Sequence, residues 1–337
     1  MVRVAPPPRR RGSVCDRAAP AFRRRLRASA FERRPVTVSV VIPCFNQAHY
    51  LGEALASVDA QRERADVIVV DDGSTDDTAG VASRSGGVRC LRQRNQGPAV
   101  ARNAGLAAAR GEYVVFLDAD DRLLPDAVDV GVDAFDRHPE CGLVFGRAVM
   151  MGPDGALWPT PDQPRVERDH HLALLRRNLI WAPAMAMFRR SAVVAAGGFA
   201  TGVDAAADYD LYLRVSRGTP VFDHGRLVAC YRRHSHNMSA NAVRMLRETL
   251  TVMQRHRRFA AADPATLAAW REGRRTWQEF YGTALVEEIR GHVRRGEWNR
   301  ALVKAFVLAR HHPRRIPREL TRRIGNMRRY GVVRRSS

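Results

Sequence analysis

VVFLDADDRLLPDA, residues 114–127, runs four apolar residues straight into three carboxylates, Asp118, Asp120 and Asp121, and then resumes a helix-like pattern. Carboxylates spaced so closely repel one another unless something positive sits between them. Two arrangements meet that demand. One is a bound metal cation carrying a phosphate-rich ligand; the other is an acidic turn left in water.

The segments upstream decide which setting this strand end occupies. VTVSVVI reads as a strand, and 48–61 has the apolar spacing of a helix. DVIVV (66–70) is a second strand with a helix near 76–84. GVRCLRQ (87–93) is a third strand, 97–109 a helix, and YVVFL (113–117) a fourth strand. Apolar strands alternating with helices predict an α/β domain whose mostly parallel sheet is covered on both faces. Ligands of such sheets gather at the carboxyl ends of the strands. Three of those ends carry polar clusters here: PCFNQ after the first, DDGSTDD after the second and DADD after the fourth.

Downstream, a helix near 125–137 and a strand over 141–150 precede a polar loop around 152–165, and helices flank WAPAMAMFRR (181–190). From about 241 the pattern is helical throughout. In the last of these helices Trp298, Leu302, Phe306 and Ala309 recur three or four apart, which predicts one apolar and one arginine-rich face. That region reads either as a cap packed on the main domain or as a basic surface for anionic lipid or polymer.

The formal charge of +21 is unevenly spread. Residues 1–34 hold 11 arginines and 2 acids, a net of +9; 254–337 hold 21 basic residues and 7 acids, a net of +14; 35–253 is close to neutral at −2. The reading is a disordered basic arm (1–34), an enzyme-like domain (35–240) and a basic helical region (241–337). Aromatic residues are not interleaved with the arginines, so no nucleic acid is expected as partner. Five cysteines, an odd number without a CxxC pair, fit neither a disulfide framework nor a zinc cluster and suit a reducing compartment. No secretory h-region is evident. The longest apolar stretch, 179–188, is too short to span a bilayer. The expected location is the cytoplasm, with attachment to the inner face of the cytoplasmic membrane as an option.

Each polar strand end has a chemical use. Asp72 can accept hydrogen bonds from a nucleobase imide or ribose hydroxyls, whereas Ser74 to Asp77 read as caps of the following helix. Hard cations take one or two carboxylates and fill other positions with substrate phosphates, a role open to Asp118 and Asp120.

Together VSVVIPCFNQAHYLGEALASV, VIVVDDGSTDDT, NQGPAVARNAGLAAARGEYVVFLDADD and GGFATGVDAAADYDLYLRV occur in the order and spacing of family 2 glycosyltransferases, which these segments resemble over about 38–238. The resemblance implies a GT-A fold with a C-terminal helical extension. It also implies Mg²⁺ or Mn²⁺ and an inverting transfer of sugar from a nucleoside-diphosphate-sugar donor. The acceptor would be a glycan or lipid-linked hydroxyl in cell-surface polysaccharide or glycolipid synthesis. Position by position, Pro43 and Phe45 match the nucleotide pocket, Asp72 the base-binding acid, and Asp118 and Asp120 the D-x-D pair. Asp208, in AADYDLYLR, matches the catalytic base, and the family's usual preceding glutamate is Ala207 here. His234, in YRRHSHNMS, is placed to complete the metal's coordination or bind phosphate, with Arg232 and Arg233 nearby. Arg102 and Asn103 are open to nucleotide contact or to packing, and Trp181 to the acceptor or the core. Two rival readings remain: an inactive sugar- or polyanion-binding protein that kept the fold, and a nucleotidyltransferase of similar fold.

Overall fold

The computed structural model describes residues 38–312, apart from 63 and 64. The basic arm expected over 1–34 and the arginines beyond 312 lie outside the described residues.

Strand β1 (Val38–Cys44) is buried along its whole length, as a strand covered on both faces must be. Its one polar side chain, Ser39, is fully satisfied: Oγ donates to Asp66 and accepts from the backbone of Arg110 and Gly111. Helix α1 (Ala48–Asp59) buries Leu51, Ala54, Leu55 and Val58, the one-face spacing that turns it onto the sheet. Then follow β2 (Ala65–Asp71), α2 (Thr78–Arg84), β3 (Val88–Arg92), α3 (Pro98–Ala108) and β4 (Tyr113–Phe116). Strands β2 and β4 both pair with β1 in parallel, and β3 extends the sheet beyond β2. The chain reverses its winding between β1 and β4, so the crevice above their carboxyl ends is where a ligand of this sheet belongs. Pro43 is tolerated in a central strand because pairing with β4 stops at Val41 and Phe116, where no donor is required of it.

The second half of the sheet is built differently. After β5 (Arg122–Leu123) and α4 (Ala127–Arg137) come β6 (Leu143–Met151), β7 (Leu157–Trp158), α5 (His170–Arg176), β8 (Ala186–Arg189), α6 (Arg190–Ala195), α7 (Ala207–Gly218) and β9 (Val221–Arg232). Strand β8 joins β4 and β6 antiparallel, β9 runs parallel to β6, and β5 pairs antiparallel with β9. The sheet is therefore mixed, in the order β3-β2-β1-β4-β8-β6-β9-β5 with β7 on β6. The short β5–β9 pairing matters most for function. It ties the loop carrying Asp118 to Asp121 to the segment leaving β9.

Three helices close the described chain: α8 (Ala242–Ala260), α9 (Pro264–Arg294) and α10 (Trp298–His311). Asn241 and Asp263 cap the first two, accepting from Arg244 N and Thr266 N. Val252, Met253, Ala260, Ala269 and Trp270 join the main core. The orientation expected for α10 is corrected. Leu302 and Phe306 are exposed, Phe306 by 70%, and the packed face is Ala301, Ala305, Val307 and Leu308 against Tyr281, Leu285 and Ile289. The packed face thus sets Val307 and Leu308 beside two small residues, Ala301 and Ala305.

Candidate active site

The carboxyl ends of β1, β2 and β4 open into one cavity of about 430 Å³. The turn after β1 and the DDGS turn after β2 are locked together. Asn46 takes a left-handed backbone, a conformation Asn tolerates; its side-chain oxygen accepts from Thr75 N, and its own N–H donates to Ser74 Oγ. Asp76 accepts from Ala48 N and Thr78 N, serving the starts of two helices at once. The capping role read for this turn is thus present, with Asp76 carrying it. Gly73 is required twice over: its φ is +77°, and a Cβ would meet Asn95 N at 2.8 Å.

Pro43, Phe45, Asp72, Arg102, Asp118, Asp120, Trp181 and Asp208, all read from the sequence, line this cavity. Phe45 is 46% exposed, an aromatic face offered at the wall. Trp181 packs partly on the core and partly lines the cavity. Asp72 is buried and accepts from Gln93 Nε2 (2.7 Å), Gln96 N (3.0 Å) and Gly97 N (2.8 Å). A carboxylate has about four acceptor positions, so ordering the 93–97 loop leaves Asp72 roughly one for a ligand.

Arg102 faces inward from α3 and is 4% exposed. Its Nη2 donates to Asp118 Oδ1 at 2.6 Å. Burial alone would make it a weaker cation, but Asp118 and then Asp208 outweigh burial and raise its pKa. Arg102 is the counter-charge of both acids. Asp208 stands in the first turn of α7, where the helix dipole favours an anion, and its Oδ1 accepts from Tyr209 N at 2.7 Å. Burial nevertheless raises its pKa from 3.8 to about 6; Arg102 pulls the other way and Asp118 adds to the rise. Asp208 is not the N-cap: the helix begins at Ala207, before it. Ala207 is fully buried, so this chain fills the usual glutamate position with core.

Asp120 collects the other end of the site. His234 Nε2 lies 2.9 Å from Asp120 Oδ2, and Gln47 Nε2 (3.3 Å) and Asn237 Nδ2 (3.4 Å) donate to the same oxygen. Burial, then Asp118, push the pKa of Asp120 up, while His234 draws it down. Asp121 is buried outright, its pKa well above the ordinary range, and its Oδ2 has no hydrogen-bond partner. Arg232, expected near phosphate, is instead a buried strut: it donates to Asp120 O, Pro153 O and Glu53 and holds the acidic loop from beneath.

These residues fit a hard cation. Among the described residues no three metal-ligating side chains converge, yet a Mg²⁺-type ion needs only one or two protein ligands when phosphates supply others. His234 and Asp120, 2.9 Å apart, are the side chains that would hold it. Burial first and Asp118 second raise the Asp120 pKa, so a cation beside the pair would favour its charged form. Asp118 completes the set only by sharing itself with Arg102.

Gln47, Asn237 and Asp204, another cavity-lining acid, were not singled out by the sequence. Asp210, the other acid in the first turn of α7, is structural. It is 2% exposed, accepts from Arg214 Nε at 2.8 Å and lies 3.1 Å from His256 Nε2.

Residues 39–195 match the family model of glycosyl transferase family 2. That segment is similar to family 2 glycosyl transferases. Over 236 residues, 65% of this chain, it is 30% identical to chondroitin synthase of Escherichia coli, and it spans 32% of that protein's length. An uncharacterized protein of Mycobacterium tuberculosis is 28% identical over 75% of this chain and 84% of its own. Two solved structures share the GT-A fold. Mannosyltransferase PcManGT of Pyrobaculum calidifontis, in complex with GDP-Man and Mn²⁺, has a TM-score of 0.53 at 19% identity, covering 82% of this chain and 86% of that one. S. aureus TarS 1–349, in complex with UDP-GlcNAc, has a TM-score of 0.52 at 18% identity, covering 81% and 90%.

Proposed function

We propose that this chain is an inverting, metal-dependent glycosyltransferase of family 2. It moves a sugar from a nucleoside diphosphate to an acceptor hydroxyl in the synthesis of a cell-surface polysaccharide or glycolipid. The observation that carries the reading is the convergence of four acids on one cavity: Asp72 from the turn after β2, Asp118 and Asp120 from the turn after β4, and Asp208 from the first turn of α7. Fold neighbours solved with UDP-GlcNAc and with GDP-Man and Mn²⁺ support the donor class; relatives named chondroitin and hyaluronan synthase support a polymer product. Residues 35–240 are the catalytic domain in this reading and 241–337 its helical extension.

Phe45 and Pro43 form the wall for the base, and Asp72 accepts from its imide edge. When bound by Asp120 and His234, with Asp118 beside them, Mg²⁺ or Mn²⁺ supplies positive charge to the diphosphate. Asp208 takes the proton of the acceptor hydroxyl as that oxygen attacks the anomeric carbon in line with the departing diphosphate. A carboxylate of raised pKa is a better base than a free one, and Arg102 keeps it from protonating permanently.

No helix among the described residues is long and apolar enough to cross a membrane. The exposed Leu302 and Phe306 of α10, with Arg310 beyond them, support attachment to an anionic membrane surface. The test of the chemistry is NMR of the product made from an α-linked nucleotide-sugar. A β-linked product is expected. An α-linked product overturns inversion, and no turnover across a broad panel of donors and acceptors favours a sugar-binding protein.

A further inference from the structure

Beside the donor cavity lies a second, larger groove of about 1080 Å³, bounded by the 235–241 loop, α8 and α10. We propose that this groove is the acceptor channel and that its occupant is an acidic glycan, a chain of sugars bearing uronate or similar anionic groups. The proposal rests on the donor reading given above, because it takes the neighbouring cavity as the place of transfer.

Continuity is the first argument. His236, Asn237 and Met238 line both spaces, so a chain lying in the groove ends at the wall of the donor cavity. Asn237 also touches Asp120. Arg244 makes a second link: its Nη2 is 3.6 Å from Asp204, which lines the donor cavity. Glu248 makes a third, accepting from Arg244 and from Ala205 N, three residues before Asp208.

Chemistry is the second argument. Four cations, Arg244, Arg247, Arg300 and Lys304, line the groove against two carboxylates, Glu248 and Glu288. The carboxylates are already engaged, Glu248 by Arg244 and Glu288 by Lys304. These pairs fix two of the cations in place. Arg300 has a side chain 72% exposed, with Glu297 no nearer than 3.8 Å, and Arg247 is exposed. Both can turn to an anion at little cost. Asn241 and Asn299 offer amides suited to sugar hydroxyls. The apolar side chains lining it, Met238, Ala240, Val243 and Val303, alternate with these polar groups, and among the described residues no Phe, Tyr or Trp lines the groove for base stacking.

The test uses the full chain and two labelled probes, a chondroitin hexasaccharide and a neutral hexasaccharide of the same length, followed by fluorescence anisotropy. The acidic probe should bind, the neutral one should not, and salt should weaken the binding. Arg247→Ala/Arg300→Ala should weaken it by about tenfold, as expected for two solvent-open charge contacts, with the melting temperature unchanged. Arg310→Ala, outside the groove, is the control for charge alone and should bind like wild type. Equal binding of both probes, or equal binding by the double variant, overturns the proposal. So does a chain that ignores the hexasaccharide and binds phosphatidylglycerol vesicles through the same two arginines. A chain that binds the acidic probe in this way but no nucleotide-sugar upholds the groove and defeats the transferase reading.

Discussion

Asp208→Asn should make the protein more stable and nearly inactive, and the stability gain should follow pH. Burial raises the Asp208 pKa from 3.8 to about 6. Each pH unit of such a rise is worth ~1.4 kcal/mol against the charged form, so the ionised carboxylate costs ~3 kcal/mol. Asp208 stands at a cavity wall and is partly exposed, so solvent screening reduces this to about 1–3 kcal/mol. The sign follows from linkage. Below about pH 4 the carboxyl is protonated in both folded and unfolded chains, and the cost is absent. Between about 4 and 6 the unfolded chain ionises first, and the folded state loses stability; above about 6 the full cost is present. Asn does not titrate, and its side-chain oxygen can accept from Tyr209 N as Asp208 does. Thermal melts of cation-free protein should therefore coincide near pH 4 and separate by several degrees at pH 8, the variant higher. Transfer should fall by about 10²–10⁴, and wild-type kcat/KM should lose activity below about pH 6. A variant no more stable than wild type at pH 8 refutes the strained-carboxylate account. Near-normal transfer by the variant removes Asp208 as the base.

Asp210→Asn, two residues away, should do the reverse. It breaks a buried pair with Arg214 and His256, so it should cost about 3 kcal/mol by denaturant titration. The pKa of Asp210 is lowered, burial notwithstanding, by His256 and Arg214; the stability it provides is present at neutral pH and is lost as pH falls through that lowered pKa. Asp120→Ala should abolish cation-dependent donor binding by calorimetry while leaving a folded protein; equal donor affinity with and without chelator in both proteins removes the metal role. Phe306→Glu should leave the melting temperature unchanged, since the ring is exposed, yet release the protein from anionic vesicles in a sedimentation assay. Undiminished vesicle binding would place membrane contact elsewhere.

What the sequence made legible follows from burial. β1, β2 and β4 are covered on both faces, so their apolar runs announce themselves and their polar ends stand out as Cys44–Gln47, Asp71–Asp72 and Asp118–Asp121. The antiparallel half was harder to read. β8 is a four-residue strand inside WAPAMAMFRR, and β9 carries Asp223, His224 and Arg226 through its middle. Arg102 stayed ambiguous because a charged residue on a helix is usually solvated; its role depends on two acids, one 16 residues away and one on a different helix. Gln47 stood in view within PCFNQ, but its role and that of Asn237 emerge only when the fold brings both amides to one oxygen of Asp120. Periodicity misled at α10, where Ala301, Ala305, Val307 and Leu308 are packed while Leu302 and Phe306 are exposed.

The central claim, that this cavity holds a nucleoside-diphosphate-sugar through a divalent cation, is tested most directly by calorimetric titration of wild-type protein with UDP- and GDP-linked sugars, with Mn²⁺ and again with excess chelator. One nucleotide class should bind with Mn²⁺ and lose most of its affinity on chelation, because Asp118, Asp120 and Asp121 repel an unaccompanied diphosphate. Binding of equal strength under both conditions, or of no nucleotide-sugar at all, would contradict the account.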